Sequence, residues 1–272
     1  MRVLTGRAFT VSHVFYDDED VITPSNVTAT ISRAGVVAET VTCVSGDEWE
    51  ATFASLPTGV YELAWMGDVP SVTDVEIIEV VGSFIATIPE IRLMDPDLTN
   101  SKYSATDLAG YREIVETEFE GIVGRSFTRK CVRVTVTIDG SEDELWPAVH
   151  DAVNVRNVYE TDGTLTALTI QVGSDGMLTG LSSIPTGTYL MDVEYGFLTS
   201  PPDVKRALVQ RIHSLVGADR SGVPDRAISW QPADGGTYVL ATAGLRGSET
   251  GIPDVDVVLK RYRYDLIRSV IG

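Results

Sequence analysis

Three histidines and two cysteines are the residues best equipped for chemistry in this chain, and their spacing in sequence argues against it. His13, His150 and His213 stand alone, none in an HExxH arrangement or beside a carboxylate at ligand spacing. His213 falls on the polar side of a helical stretch and reads as a solvated histidine. His13 and His150, in or next to strands, gain a metal or catalytic role only if the fold brings carboxylates to them. Cys43 and Cys131 lie far apart with no second cysteine at metal or redox spacing, so both read as unpaired core or strand residues. Acids cluster in "DDED" (17 to 20) and "DGSEDE" (139 to 144), but neither follows the alternating pattern of a calcium loop, and both read as solvated turns. "GLRGSETG" has no strand before it and no lysine-led helix after it, so it makes no phosphate cradle, and there is no GxSxG. The expectation is a protein that does no covalent chemistry and needs neither cofactor nor metal. Of the four tryptophans, Trp65 reads as core and Trp230, beside Pro232, as exposed.

The whole chain, 272 residues with 43% hydrophobic and 22% charged residues, has the composition of a folded chain of one large or two ordinary domains. A formal net charge of −18 argues against general affinity for nucleic acid, because phosphate binding needs a basic face that releases counterions. Residues 1–90 hold 14 acids against 3 bases, so most of the negative charge sits in the first third. No apolar run reaches signal-peptide or membrane-span length, which predicts a signal-free setting and no membrane.

Residues 1–90 read as short strands every ten residues or so, with turns at Asp17 to Asp20, Ala34-Gly35, Ser45-Gly46-Asp47, Pro57-Thr58-Gly59 and Gly67-Asp68. That pattern predicts an immunoglobulin-like β-sandwich. In "SATDLAGYREIVETEFEGIVG", Ser104 or Thr106 offers a cap and Leu108, Tyr111, Val115, Phe119 and Ile122 recur at helical spacing, while Glu113, Glu116 and Glu120 share an acidic flank. Strands resume over about 129–197, including a hairpin at Asp162-Gly163. A second helix, about 201–217, starts at "TSPPD" and stops at Gly217. The segment that follows is long, glycine-rich and poorly periodic, hence a loop or paired extended chain.

The last helix, about 253–270, opens on Pro253 with Asp254 and Asp256 near its start and Arg263 and Arg268 further along, as the helix dipole prefers. Val255, Leu259, Tyr262 and Leu266 form one face. Arg261, Tyr264, Arg268 and Ile271 lie away from it. A helix apolar on two sides, with arginines between, calls for either a deep burial site or a second partner. These elements together predict an α+β protein: a sandwich over 1–90, then a helical domain over 91–272 with a β insert at about 129–197.

The order of parts resembles the head-tail connector, or adaptor, proteins of long-tailed double-stranded DNA bacteriophages. The carrying residues are Arg125, Phe127 and Arg129 after the first helix, Tyr195, Gly196 and Pro202 before the second, and the closing segment Thr250 to Arg263, "TGIPDVDVVLKRYR". The resemblance covers residues 100 to 272, and the sandwich is an addition to it. It implies a head completion protein of the virion neck, assembled in the host cytoplasm into a homo-oligomeric ring of twelve copies. Such a ring joins the portal protein to a stopper or tail-terminator protein, and DNA passes its lumen without specific binding. It further implies that Arg261, Tyr264, Arg268 and Ile271 meet the portal or a neighbouring subunit, and Glu113, Glu116 and Glu120 a neighbour's arginines. The alternative is a module whose N-terminal region binds glycan, which exposed aromatics clustered at one end would favour.

Overall fold

The computed structural model describes residues 1–218, 229–230, 238–239 and 249–264. The chain divides into two compact units, Met1–Ser83 with Arg129–Gly196, and Phe84–Thr128 with Phe197–Gly272.

The first unit begins with ten short strands: β1 (Arg2–Leu4), β2 (Phe9–His13), β3 (Phe15–Asp17), β4 (Asp20–Ile22), β5 (Val27–Arg33), β6 (Val36–Thr42), β7 (Val44–Ser45), β8 (Trp49–Phe53), β9 (Gly59–Gly67) and β10 (Val72–Val81). They form a five-stranded sheet in the order β1-β10-β9-β5-β6, a three-stranded sheet β2-β8-β7 and a hairpin β3-β4. Period-two alternation selects the buried face: Trp49, Ala51 and Phe53 of β8 and Tyr61, Leu63 and Trp65 of β9 are buried, while Glu50, Thr52, Val60 and Glu62 between them are exposed. Ala34 and Gly35 both take positive φ, 49° and 78°, giving the two-residue turn whose twist matches the β5–β6 hairpin.

Six more strands complete this unit: β11 (Lys130–Ile138), β12 (Glu144–Leu145), β13 (Ala152–Glu160), β14 (Gln171–Val172), β15 (Leu178–Thr179) and β16 (Gly187–Tyr195). They make two three-stranded sheets, β11-β16-β13 and β12-β15-β14, around a core that includes Val158, Leu178, Met191 and Val193. Main chain joins them to the first ten strands, since the Gly82 N–H donates to the Arg129 carbonyl at 2.7 Å.

The second unit holds α1 (Ile88–Met94), α2 (Ala105–Val123), α3 (Pro202–Ala218), a two-residue strand pair β17 (Ser229–Trp230) and β18 (Tyr238–Val239), and α4 (Pro253–Tyr262). Helix α2 starts in a capping box between Ser104 and Asp107 and ends at Gly124, which adopts the left-handed conformation at φ 74°. Leu108, Val115 and Phe119 of α2, Val204, Leu208 and Ile212 of α3, and Val255 and Leu259 of α4 share one core. No described helix is long and apolar enough to cross a membrane.

The expected α+β architecture, an immunoglobulin-like sandwich followed by a helical connector domain with a β insert, is overturned. Strand outweighs helix among the described residues, 38% against 24%, the strands divide among several small sheets, and the four helices are not arranged as a helical connector domain. The physical reason is long-range pairing that spacing does not reveal. Strand β1 runs parallel to β10, with Arg2 against Glu79, and the β11–β16 strands belong to the same unit as residues 1–83.

Candidate functional site

Helix α4 is set by a compact polar corner. The buried Asp256 carboxylate accepts from the Thr250 N–H at 2.9 Å and the Thr250 hydroxyl at 2.8 Å, fixing the turn before Pro253. Arg211 of α3 then ties this corner to the bundle, donating to the Thr250 carbonyl at 3.2 Å and through two nitrogens to Glu118 of α2 at 2.8 Å each. A forked guanidinium–carboxylate pair holds orientation as well as distance. At the other end of α4, the Tyr262 hydroxyl donates to Asp203 at 2.9 Å and its ring meets Phe127 edge-on at 5.5 Å. Burial, then the Asp203 carboxylate, push the Tyr262 hydroxyl above its ordinary pKa, so it stays a donor. The Arg125 guanidinium lies 5.2 Å from the Phe197 ring centre and donates to the Tyr262 carbonyl at 3.4 Å. Arg125 and Phe127, from the segment after α2, thus meet Tyr262 of α4.

The face of α4 that this packing leaves outside borders an open groove against α3, about 580 Å³ in volume. Asp203, Arg206 and Ala207 line it from α3, and Asp254, Val257 and Arg261 from α4. The contrast along α4 is sharp: Val255 and Leu259 are fully buried, whereas Val257 is 54% exposed and the Arg261 side chain 63% exposed. Arg261 reaches Asp203 only at 3.5 Å, and Arg206 and Lys260 form no ion pair among the described residues. An exposed valine set among weakly held cations suits a protein partner better than a small substrate.

Of the expected contact residues, Arg261 lies on this groove, and Tyr264 is half-buried with its N–H donating to the Val123 carbonyl at 2.9 Å. Arg268 and Ile271 lie outside the described residues. The acidic flank of α2 divides. Glu116 is buried and accepts the Ile85 N–H at 2.7 Å, Glu120 accepts the Ser126 hydroxyl at 2.8 Å, and Glu113 is half-buried. Glu116 therefore serves its own unit.

Sequence reasoning missed a second polar cluster, centred on Asp192 of β16. Its carboxylate, 1% exposed, accepts from Arg133 at 2.9 and 3.2 Å and from Tyr159 at 3.2 Å, and pairs with Arg33 at 3.1 Å. Burial alone would raise its pKa, but the Arg133 hydrogen bonds and the two arginine charges outweigh this and hold it below the carboxylate range. With both oxygens occupied twice, the carboxylate has no acceptor site left for a ligand. A charge inside the apolar run "YLMDVEY" was the available signal. His13 likewise meets carboxylates, Glu76 at 2.8 Å and Asp74 at 3.3 Å, while stacked on Trp65, and His213 meets Asp95 at 2.6 Å. No group of three or more His, Cys, Asp or Glu suited to a metal occurs among the described residues. Cys43 and Cys131 are both buried and unbridged.

No family model matches the chain, and no curated protein matches it. Among solved structures, a crystal structure of an engineered protein aligns with 15% identity over 29% of this chain at a TM-score of 0.24, and the match spans 17% of that protein's length. A likeness this small and partial carries no argument about fold or function.

Proposed function

We propose that the chain is a structural subunit of a bacteriophage virion neck: a homo-oligomeric ring that joins the portal to the stopper or tail and lets DNA pass. The observation that carries this reading is the two-faced α4. It lies in the segment Thr250 to Arg263 that bears the resemblance, and it buries Val255 and Leu259 while turning Val257 and Arg261 to an open groove. A net charge of −18 supports it too, since an acidic ring does not hold passing phosphates. The reading rests on this helix and on resemblance, not on the connector fold, which the chain does not form; function belongs to sites rather than to folds.

The glycan-binding alternative gains no support, because Tyr16 is the only exposed aromatic among the described large hydrophobic residues of 1–83. To test the neck reading, full-length protein and the portal from the same particle are co-sedimented, with wild type compared to Val257→Asp. Wild type is expected to travel with the portal and the variant to remain behind. Failure of wild type to bind, or equal binding by both, would overturn the reading.

A further inference from the structure

Within the first unit, two apolar cores close separately. Strands β1 to β10 enclose Val27, Ile31, Leu63 and Trp65, strands β11 to β16 enclose Val158, Leu178, Met191 and Val193, and no described residue belongs to both clusters. Each core carries its own copy of one turn, "PTG" with a tyrosine two residues on. The Tyr61 hydroxyl donates to the Pro57 carbonyl and the Tyr189 hydroxyl to the Pro185 carbonyl, both at 2.9 Å. Residues 1–81 and 130–195 are therefore two self-contained bodies.

What joins them is charge. Arg33 reaches Asp192 at 3.1 Å and the Cys131 sulfur at 3.5 Å, Lys130 reaches Glu79 at 2.8 Å, and Arg156 donates to the Thr58 carbonyl at 2.9 Å and to the Thr58 hydroxyl. The acids of this seam also hold cations from their own side: Asp192 pairs with Arg133 at 2.9 Å and Glu79 with Arg2 at 2.7 Å, while Arg156 keeps Glu194 at 3.1 Å. Opening the seam thus bares neither an apolar core nor an uncompensated carboxylate, the two penalties that would forbid it. A polar interface of this kind within a chain permits the bodies it joins to move. Their main chains meet where the Gly82 N–H donates to the Arg129 carbonyl at 2.7 Å, and a Cβ on residue 82 would lie 2.7 Å from the Arg129 Cβ, so the approach requires glycine. We infer that residues 1–81 and 130–195 swing as rigid bodies about the Gly82–Arg129 contact, and that Arg33, Lys130 and Arg156 are the latch that holds them closed. The inference goes beyond the neck reading and does not depend on it.

The test reads the distance between the bodies in full-length protein. Spin labels are placed at Val75→Cys and Leu165→Cys, positions 57% and 61% exposed, in a Cys131→Ala background. With the latch intact, one narrow distance is expected. Arg33→Met with Lys130→Met should add a longer distance and raise the open population about tenfold or more; Lys130→Met alone, the milder change, should move it the same way. Arg2→Met removes a pair inside one body and should leave the narrow distance as it is. Cys43, buried in the core of the first body, should stay unreactive to a thiol reagent in every variant. An unchanged distance in both latch variants, equal opening by Arg2→Met, or a Cys43 that becomes reactive as the distance grows would overturn the inference.

Discussion

Arginine meets aromatic and carboxylate in two regions of this molecule, with opposite outcomes. Around Asp192, Arg33 and Arg133 are spent on one buried carboxylate, and Arg133 lies 4.1 Å from the centre of the Tyr159 ring. Beside α4, Arg206 and Lys260 make no ion pair among the described residues and Arg261 makes a long one. The same chemistry is structural where its valences are filled and available where they are not. Saturation, rather than the presence of charge, separates a strut from a docking surface.

The hardest blow to that comparison falls on α4. Leu259→Ala removes a fully buried side chain and should cost about 2–5 kcal/mol, while Val257→Ala, two residues away, should change stability by no more than about 0.5 kcal/mol. Equal losses at the two positions would erase the two-faced helix. This is also why point variants serve better than truncation before Gly251, which would strip Val255 and Leu259 from the core. On the strut, Asp192→Ala would leave the half-buried Arg33 and Arg133 without the buried carboxylate they share, at a cost of about 1–3 kcal/mol. Urea unfolding should show a correspondingly lower midpoint, and a loss under about 1 kcal/mol would mean the cluster is not what holds these strands together.

The smallest effect concerns pH. Glu90 donates no proton to its partners but accepts from Lys205 at 2.7 Å and from Thr87, and these bonds lower its pKa from 4.5 to about 2. A depressed carboxylate stabilises the fold above its unfolded pKa and loses that contribution as pH falls, here between 4.5 and about 2. The pair is partly exposed, so the amount is about 0–1 kcal/mol. Replacing Lys205 with Met should flatten this part of the stability–pH curve; an unchanged curve would remove the pair from the account.

Local signals in the sequence carried part of the local structure: α4 ends at Tyr262, short of the expected 270, and α1, capped by Thr87 and Glu90, was not expected. Ser104 marked the start of α2, Ala34-Gly35 the β5–β6 turn, and the spacing of Val255, Leu259 and Tyr262 the inner face of α4. Helix α3 runs one residue past Gly217 to Ala218, a stop missed by a single position. What could not be read was which strands share a sheet, because β1 pairs with a strand more than 70 residues later and spacing says nothing about partners. For the same reason Glu116 looked like a member of an open acidic flank. Its partner, the Ile85 N–H, comes from a segment 31 residues away. Arg33, Arg133, Tyr159 and Asp192 are individually unremarked in sequence, and the fold alone assembles them.

The central claim is that the outward face of α4 is a docking surface of a portal-bound ring. Its most direct test is the mass of the full-length protein by light scattering, alone and with the portal, for wild type and for Arg261→Glu combined with Val257→Asp. The account predicts a defined multi-copy complex with the portal for wild type, and a folded variant that stays out of it. A wild-type protein that ignores the portal, or a variant that joins it as wild type does, would contradict the account.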